Sequence, residues 1–317
     1  MKQKIIGIGL SGMVGSRIVD LLKDQYQFEN LSLETGVDIR DKEQVKEKIS
    51  KSTAQIILHL AAKTDVDSCE KDKKEDIRIL KYQDIKKKQE YFRTTNSAWA
   101  VNVIGTKNIV DACKKFDKRM IYISTDFVFD GKNPPTGGYT EKDSPHPINW
   151  YAQTKYEGEK IVRKSKSSYL ILRIAFPFRA FFAQKKDFVR SILEKLKKGE
   201  KIKAFSDQII TPTFIDDIAY ALNFLIQKNA IGVYHLVGSQ SLIPYKAVCL
   251  IASQFNLDTK LVSCVRIDDY YKNKASRPRK LVLSNDKIKK IGVKMRSFEE
   301  GIREVKKQRL KFSISNF

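Results

Sequence analysis

Residues 4–22, KIIGIGLSGMVGSRIVDLL, decide the fold. A short apolar run opens the stretch, glycines interrupt it, and an amphipathic segment from Met13 to Lys23 follows. That order predicts a strand, a tight turn and a helix. Gly7, Gly9 and Gly12 satisfy GxGxxG, and Gly9, Gly12 and Gly15 satisfy GxxGxxG. Glycine lets the backbone turn sharply and approach a pyrophosphate, whose charge is favoured at a helix N-terminus. A glycine triad alone says little. Between a strand and a helix it has the context that dinucleotide binding requires. The apolar run is too short for a signal peptide and no small-residue cleavage site follows it.

The alternation continues outward. LSLE at 31–34 precedes a helical pattern over 41–50, and QIILHLAA at 55–62 precedes one over 99–116. RMIYIST at 119–125 is followed, after a loop rich in proline and glycine, by a helical pattern over 151–164 and then by SYLILRIAF at 168–176. Strands alternating with helices imply βαβ units and a parallel sheet covered on both faces. The near-continuous apolar strands fit burial on both sides. Beyond residue 175 the pattern is less regular: helices are expected over 187–198 and 245–256, a strand at GVYHLVG (232–238), and no periodicity in the tail 306–317. Residues 71–93, KDKKEDIRILKYQDIKKKQEYFR, interrupt the alternation. Ile77, Leu80 and Ile85 give only a weak apolar spacing, which predicts a solvated surface insertion with a short exposed helix.

With 317 residues and 42% hydrophobic content, the chain can bury a sizeable core as one large domain or two joined ones. It has no apolar run of about 18 residues, so no membrane span is expected. Cys69, Cys113, Cys249 and Cys264 are scattered without CxxC spacing, which suits reduced thiols and a cytoplasmic location. His59, His146 and His235 are equally scattered, so no metal centre is expected, and His59 is read as a plain strand residue. The net charge of +23 favours anionic partners. Lysines spread along the whole chain, without a zinc finger, helix-turn-helix or aromatic RNA-binding motif, make that charge a compositional bias and argue against nucleic acid.

The chemistry is sought where strands end. Tyr151 and Lys155 stand four apart in YAQTKYEGE, but so do Tyr82/Lys86, Tyr156/Lys160 and Tyr270/Lys274. Only the first pair begins a helix that a loop returns to the end of a strand, the one closing in Ser124 and Thr125. Residues four apart share a helix face. A free phenol has a pKa of about 10, and a neighbouring ammonium favours its ionised form. Such a tyrosine can serve as general acid toward a carbonyl oxygen, with the strand-end hydroxyl fixing that oxygen. For the adenosine ribose, Glu34 lies about 19 residues after Gly15, near the separation expected of a ribose-binding acid. Arg17 or Arg40 would instead hold a 2′-phosphate, so the residues leave NADP(H) and NAD(H) both open.

The glycine turn, HLAAKTDVDSCE, VNVIGTKNIVDAC, YISTDFVFDG and YAQTKYEGE resemble the extended short-chain dehydrogenase/reductase family. STDFVFDG, DQIITPTFIDDIA and SRPRKLVLSNDKI are similar to its dTDP-4-dehydrorhamnose reductase-like subgroup of sugar-nucleotide reductases. The similarity spans about residues 4–305. It implies a Rossmann-type doubly wound sheet over 1–174, to which 214–237 return, and a smaller C-terminal α/β substrate-binding domain over 175–213 and 238–317. It implies Thr125 (or Ser124), Tyr151 and Lys155 as the catalytic set, with Asn102 supporting the lysine or forming a helix-to-loop hydrogen bond. Gly9, Gly12, Met13, Val14 and Gly15 would meet the pyrophosphate, Asp38 and Ile39 would lie beside adenine, and Ala61, Ala62 and Lys63 would run under the ribose. Asp126, Phe176, Asp187 and Arg277 would meet a nucleotide-sugar substrate, Arg277 as an anion partner. Phe176 stands where relatives carry tryptophan, and Asp187 where they carry asparagine. The resemblance implies reduction of a 4-keto nucleotide sugar, and a homodimer is compatible with it. An epimerase or dehydratase, or a non-catalytic subunit like the β subunit of methionine adenosyltransferase, shares the same fold.

Overall fold

Ile5, Ile6 and Ile8 are at most 1% exposed, because β1 (Gln3–Ile8) runs through the middle of a sheet with both faces covered. The computed structural model describes residues 2–165, 168–272 and 274–314. Its main sheet also contains β2 (Tyr26–Leu31), β3 (Ile56–His59), β4 (Arg119–Thr125), β5 (Tyr169–Ile174) and β9 (Gly232–His235). These six strands lie in the order β2-β1-β3-β4-β5-β9, and every pairing is parallel. Alternation along β1 sends Ile5 to one face and Ile6 and Ile8 to the other. Ile5 joins a core with Ile18 and Leu22 of α1 (Met13–Leu22) and with Ile218, Leu222 and Leu225 of α8 (Ile215–Gln227). Ile6 and Ile8 meet Val45 and Ile49 of α2 (Lys42–Lys51) and Ile109 and Val110 of α5 (Thr106–Lys115). The strand order reverses between β1 and β3, and a crevice at the carboxyl ends of the strands is expected at that point.

A second layer follows β5. Short β6 (Pro177–Phe178) pairs with β8 (Thr213–Phe214), and β7 (Ile202–Phe205) pairs with β10 (Val262–Val265). Over them lie α7 (Phe188–Lys197), α9 (Pro244–Gln254) and α12 (Phe298–Ile314), closed around Phe178, Leu193, Phe214, Ile251 and Phe298. The short helix α10 (Ile267–Tyr270) adds to this half, whereas α11 (Asp286–Lys290) packs against β9, with Ile288 in the core of the main sheet. The chain returns to the main sheet through α8 and β9.

The structure corrects three expectations. The second strand is Tyr26–Leu31, so only the first residue of LSLE belongs to it, and Leu33 and Glu34 enter a single 3₁₀ turn, Leu33–Thr35. The tail is helical to Ile314, because Phe298, Ile302 and Val305 place one face of α12 in the core; residues 315–317 lie outside the described residues. Residues 71–93 are no loose insertion. They form most of α3 (Val66–Leu80) and α4 (Ile85–Thr94), capped by the carboxylates of Asp65 and Asp84. Ile79 and Phe92 are buried between the two helices and the π-helical turn Ala100–Gly105 that leads into α5.

The helix α6 (Trp150–Lys164) is fixed at both ends. Asn149 caps its start through a bond from Ala152 N. Near its far end the carboxylate of Glu159 accepts two hydrogen bonds from Arg173 of β5, at 2.9 and 2.8 Å, with both side chains fully buried. Removing one member of such a pair strands a charge without water. Glu159→Gln is expected to lower unfolding free energy by about 3 kcal/mol, read from denaturant midpoints. An unchanged midpoint would show that the pair does not hold α6 to β5.

Candidate active site

Gly9 has φ +87°, and a Cβ there would lie 2.8 Å from Ala61 N. One on Gly15 would lie 2.6 Å from the Gly9 carbonyl. The turn between β1 and α1 is thus compressed against the end of β3, and glycine alone fits. Its open side faces a cavity of about 790 Å³ along the carboxyl edge of the sheet. These residues suit a dinucleotide: bare backbone beside the first turn of α1 accepts a pyrophosphate without a side chain in the way.

The cavity gathers most of the expected residues. Gly9, Gly12, Met13, Val14 and Gly15 line one end with Glu34, Asp38, Ile39, Ala61, Ala62 and Lys63; Ser124, Thr125, Asp126, Tyr151, Lys155 and Phe176 line the other. Glu34 is exposed in the 3₁₀ turn. Arg40 also faces the cavity and forks onto Asp38 through Nε and Nη2. Arg17 is committed elsewhere: it bridges α1 to α8 through two 2.7 Å bonds to Asp216. The other tyrosine–lysine pairs lie off the cavity, with Lys160 over the Tyr156 ring and Lys274 over the Tyr270 ring.

Three expected residues do not reach it. Asn102 accepts from Lys63 N at 2.8 Å and donates to Lys63 O and to Thr154 Oγ1, so its amide ties the π turn to the β3 exit and to α6. Of its two roles, the structure shows the helix-to-loop bond. Asp187 caps α7 at Arg190 N and pairs with Arg190 Nε at 2.7 Å. Arg277 packs over the Tyr271 ring and bonds to Asp67 Oδ1 of α3 at 2.9 Å. In each case a partner has claimed the polar group: a local one, three residues on, for Asp187, and tertiary ones for Asn102 and Arg277.

At the strand-end side of the cavity Thr125 Oγ1 donates to Asp126 Oδ1 at 3.0 Å and accepts from Phe127 N. Phe127 forms an aromatic wall with Tyr151 and Phe176, ring centroids 6.1 and 6.4 Å away. Phe176 holds φ +38°, a left-handed conformation costly for an aromatic residue, directly after β5. Lys155 donates to Ile123 O at 2.8 Å, with its ammonium 4.1 Å from the centre of the Tyr122 ring. Burial pushes Lys155 down to about 7 against the pull of Glu159. Burial also pushes the Tyr151 phenol well above its ordinary value; a Thr125 hydrogen bond works against this and the Asp126 charge adds to it. The expected lowering by an ammonium is therefore overridden, because desolvation dominates and Lys155 turns to a carbonyl. Among the described residues no group of His, Cys, Asp or Glu could hold a metal ion, and no helix is long and apolar enough to cross a membrane.

The start of α6, next to Tyr151, is held by residues with no sequence motif. Glu70 accepts from Trp150 N at 2.7 Å, Asp72 accepts from Lys63 Nζ at 2.7 Å, and buried Asp76 accepts from Trp150 Nε1 at 2.8 Å. Trp99 and Trp150 stack at 5.6 Å. Only the helical spacing of acids in α3 hinted at this, and it looked like a solvated face.

Comparison with known proteins adds an independent line. The family model described as "RmlD substrate binding domain" matches residues 3–83 and 90–310. A dTDP-4-dehydrorhamnose reductase of Aggregatibacter actinomycetemcomitans is 26% identical over 96% of this chain and 98% of its own. Methionine adenosyltransferase 2 subunit beta of Mus musculus is 31% identical over 66% of this chain and 63% of its own. The crystal structure of dTDP-4-dehydrorhamnose reductase from Bacillus anthracis in complex with NADP superposes with a TM-score of 0.83 at 28% identity, covering 97% of this chain and 100% of that one.

Proton linkage gives a test of the buried groups. His59 and His235 are each driven down to about 3 by burial. Between pH 3 and 6.5 the unfolded chain binds a proton at each that the folded chain does not, so stability rises with pH. Asp126, pushed up to about 7 by burial, works oppositely: the folded state keeps a proton the unfolded state has lost. Asp126→Asn is therefore expected to steepen the rise of stability between pH 4.5 and 6 by about 1.4 kcal/mol per pH unit. Chemical denaturation at several pH values checks this, and parallel curves for the two proteins would refute a protonated Asp126.

Proposed function

The chain belongs to the RmlD substrate binding domain family, and from that premise we propose that it is an NAD(P)H-dependent reductase of a 4-keto nucleotide sugar, with dTDP-4-dehydro-L-rhamnose as the first substrate to assay. One observation carries this reading. Tyr151, Thr125 and Lys155 line the same cavity as the glycine turn, so a dinucleotide at one end and a carbonyl at the other fall within one enclosure. The NADP held by the structurally similar Bacillus anthracis reductase supports NADP(H) as the cofactor. Arg40 is the side chain placed for a 2′-phosphate, while Glu34 and Asp38 suit free ribose hydroxyls, so NAD(H) also fits.

A bound reduced nicotinamide would supply hydride to the keto carbon. Tyr151 donates the proton to the oxygen. Its raised pKa keeps the phenol protonated across the physiological range, the form a general acid needs. Thr125, on the same cavity wall as that phenol, orients the same oxygen. Lys155, one helical turn along, stabilises the phenolate left behind whenever it carries its proton. Phe127 and Phe176 exclude water from the reacting end. The smaller layer, 175–213 and 238–314, would bind the sugar nucleotide.

The expected signature is oxidation of NAD(P)H in the presence of a nucleotide-linked 4-keto sugar. Tyr151→Phe should reduce kcat/KM by about 10²–10⁴-fold with cofactor binding retained. Product formation without net cofactor oxidation would point to an epimerase or dehydratase instead. The 31% identity to the methionine adenosyltransferase β subunit favours one further reading, a regulatory subunit. No turnover on any keto sugar, together with a stoichiometric protein partner, would select it.

A further inference from the structure

The second layer reaches back over the glycine turn. Phe182, Gln184 and Lys185 line the cavity together with Met13, the first residue of α1. Arg190 holds this 182–185 flap in place, donating to the carbonyls of Phe182 and Lys185. The nitrogen that bonds the Lys185 carbonyl also lies 3.6 Å from Met13 Sδ, so the flap and the first turn of α1 meet on one guanidinium. Asp187 locks that guanidinium from behind. Arg179 adds a second strap, donating to Met13 O at 3.0 Å and Ser16 Oγ at 2.8 Å.

Of the basic side chains on the cavity wall, Arg40 faces Asp38, Lys63 faces Asp72, and Lys155 is buried against Ile123 O. The ammonium of exposed Lys185 has no acid partner among the described residues. We infer that Lys185 is a dinucleotide-binding residue supplied by the second layer, its ammonium closing over the pyrophosphate seated at the glycine turn. The glycine turn itself offers backbone N–H groups and a helix-terminal partial charge of about +0.5, well short of a diphosphate's charge. A flexible lysine stem carries a compact cation able to complete the balance. This inference rests on the cofactor reading above. A sugar nucleotide also carries a diphosphate; the Arg190 guanidinium, shared between the Lys185 carbonyl and Met13 Sδ, sets the flap beside the glycine turn, which favours the cofactor's diphosphate.

The test titrates NADPH and dTDP separately by fluorescence into wild type, Lys185→Gln, Lys185→Arg and Lys186→Gln. Lys186 pairs with Glu194 and serves as the control for net charge. Lys185→Gln should weaken NADPH binding by about five- to tenfold, the scale of a charge-assisted phosphate contact. Lys185→Arg and Lys186→Gln should stay near wild type, and dTDP affinity should not change. Raising salt should weaken the wild type more than Lys185→Gln, because the screened charge is gone from the variant. Wild-type NADPH affinity in Lys185→Gln, or a loss confined to dTDP, would overturn the assignment. Failure of the wild type itself to bind either NADPH or NADH would instead bring down the cofactor reading, and this inference with it.

Discussion

The architecture turns on a steric limit: at the end of β1 the backbone passes too close to the exit of β3 to carry a side chain. A Cβ on Gly9 would press on Ala61 N, and one on Gly15 would press on the Gly9 carbonyl. This closeness lets α1 begin directly behind the turn and leaves bare backbone toward the cavity. Parallel registry then sets the other edges. With Thr125 opposite Ile174 across β4 and β5, the hydroxyl of one strand end and the strained Phe176 beyond the next fall on the same side as the turn. Chemistry can be assembled there because separate strands end at one edge.

Burial, more than charge pairing, sets the protonation states at the Tyr151 end of the cavity. Tyr151, Lys155 and Asp126 are each shifted toward their neutral forms, with desolvation as the largest cause. A site built of neutral donors keeps a proton ready to give without an ion that must be shielded. The tyrosine does not need an ionised neighbour to stay protonated; it needs one only after the proton has left.

What could be seen in the sequence was local. The glycine turn, the apolar strands and the Tyr151–Lys155 pair each announce themselves within a dozen residues, and the structure brings all of them to one cavity. What could not be seen was which partner each polar group would take. Asp187 looked like a ligand for a sugar until Arg190 took its carboxylate, and Arg277 looked like an anion partner until Asp67 did the same. Asn102 was legible as a polar residue at a helix start, but not as a clamp on Lys63, 39 residues earlier in the chain. The charged stretch 71–93 misled for a related reason. Two of its acids, Asp72 and Asp76, point inward at backbone and indole N–H groups, so a high charge count disguised a packed element. The tail misled because its buried positions, Phe298 to Val305, precede the residues whose periodicity was sought.

Helix α3 touches more than the base of the tyrosine. From its first turn Asp67 accepts bonds from Ala275 N and Arg277, one turn later Glu70 grips the backbone at Trp150, and Asp72 anchors Lys63 on the cavity wall. A single rod about 22 Å long by the usual helical rise therefore links the 275–277 segment, Lys63 on the cavity wall and the start of α6 beside Tyr151. The 275–277 segment and the backbone beside Tyr151 thus share one support, and the side chains that grip them, Asp67 and Glu70, lie outside the cavity.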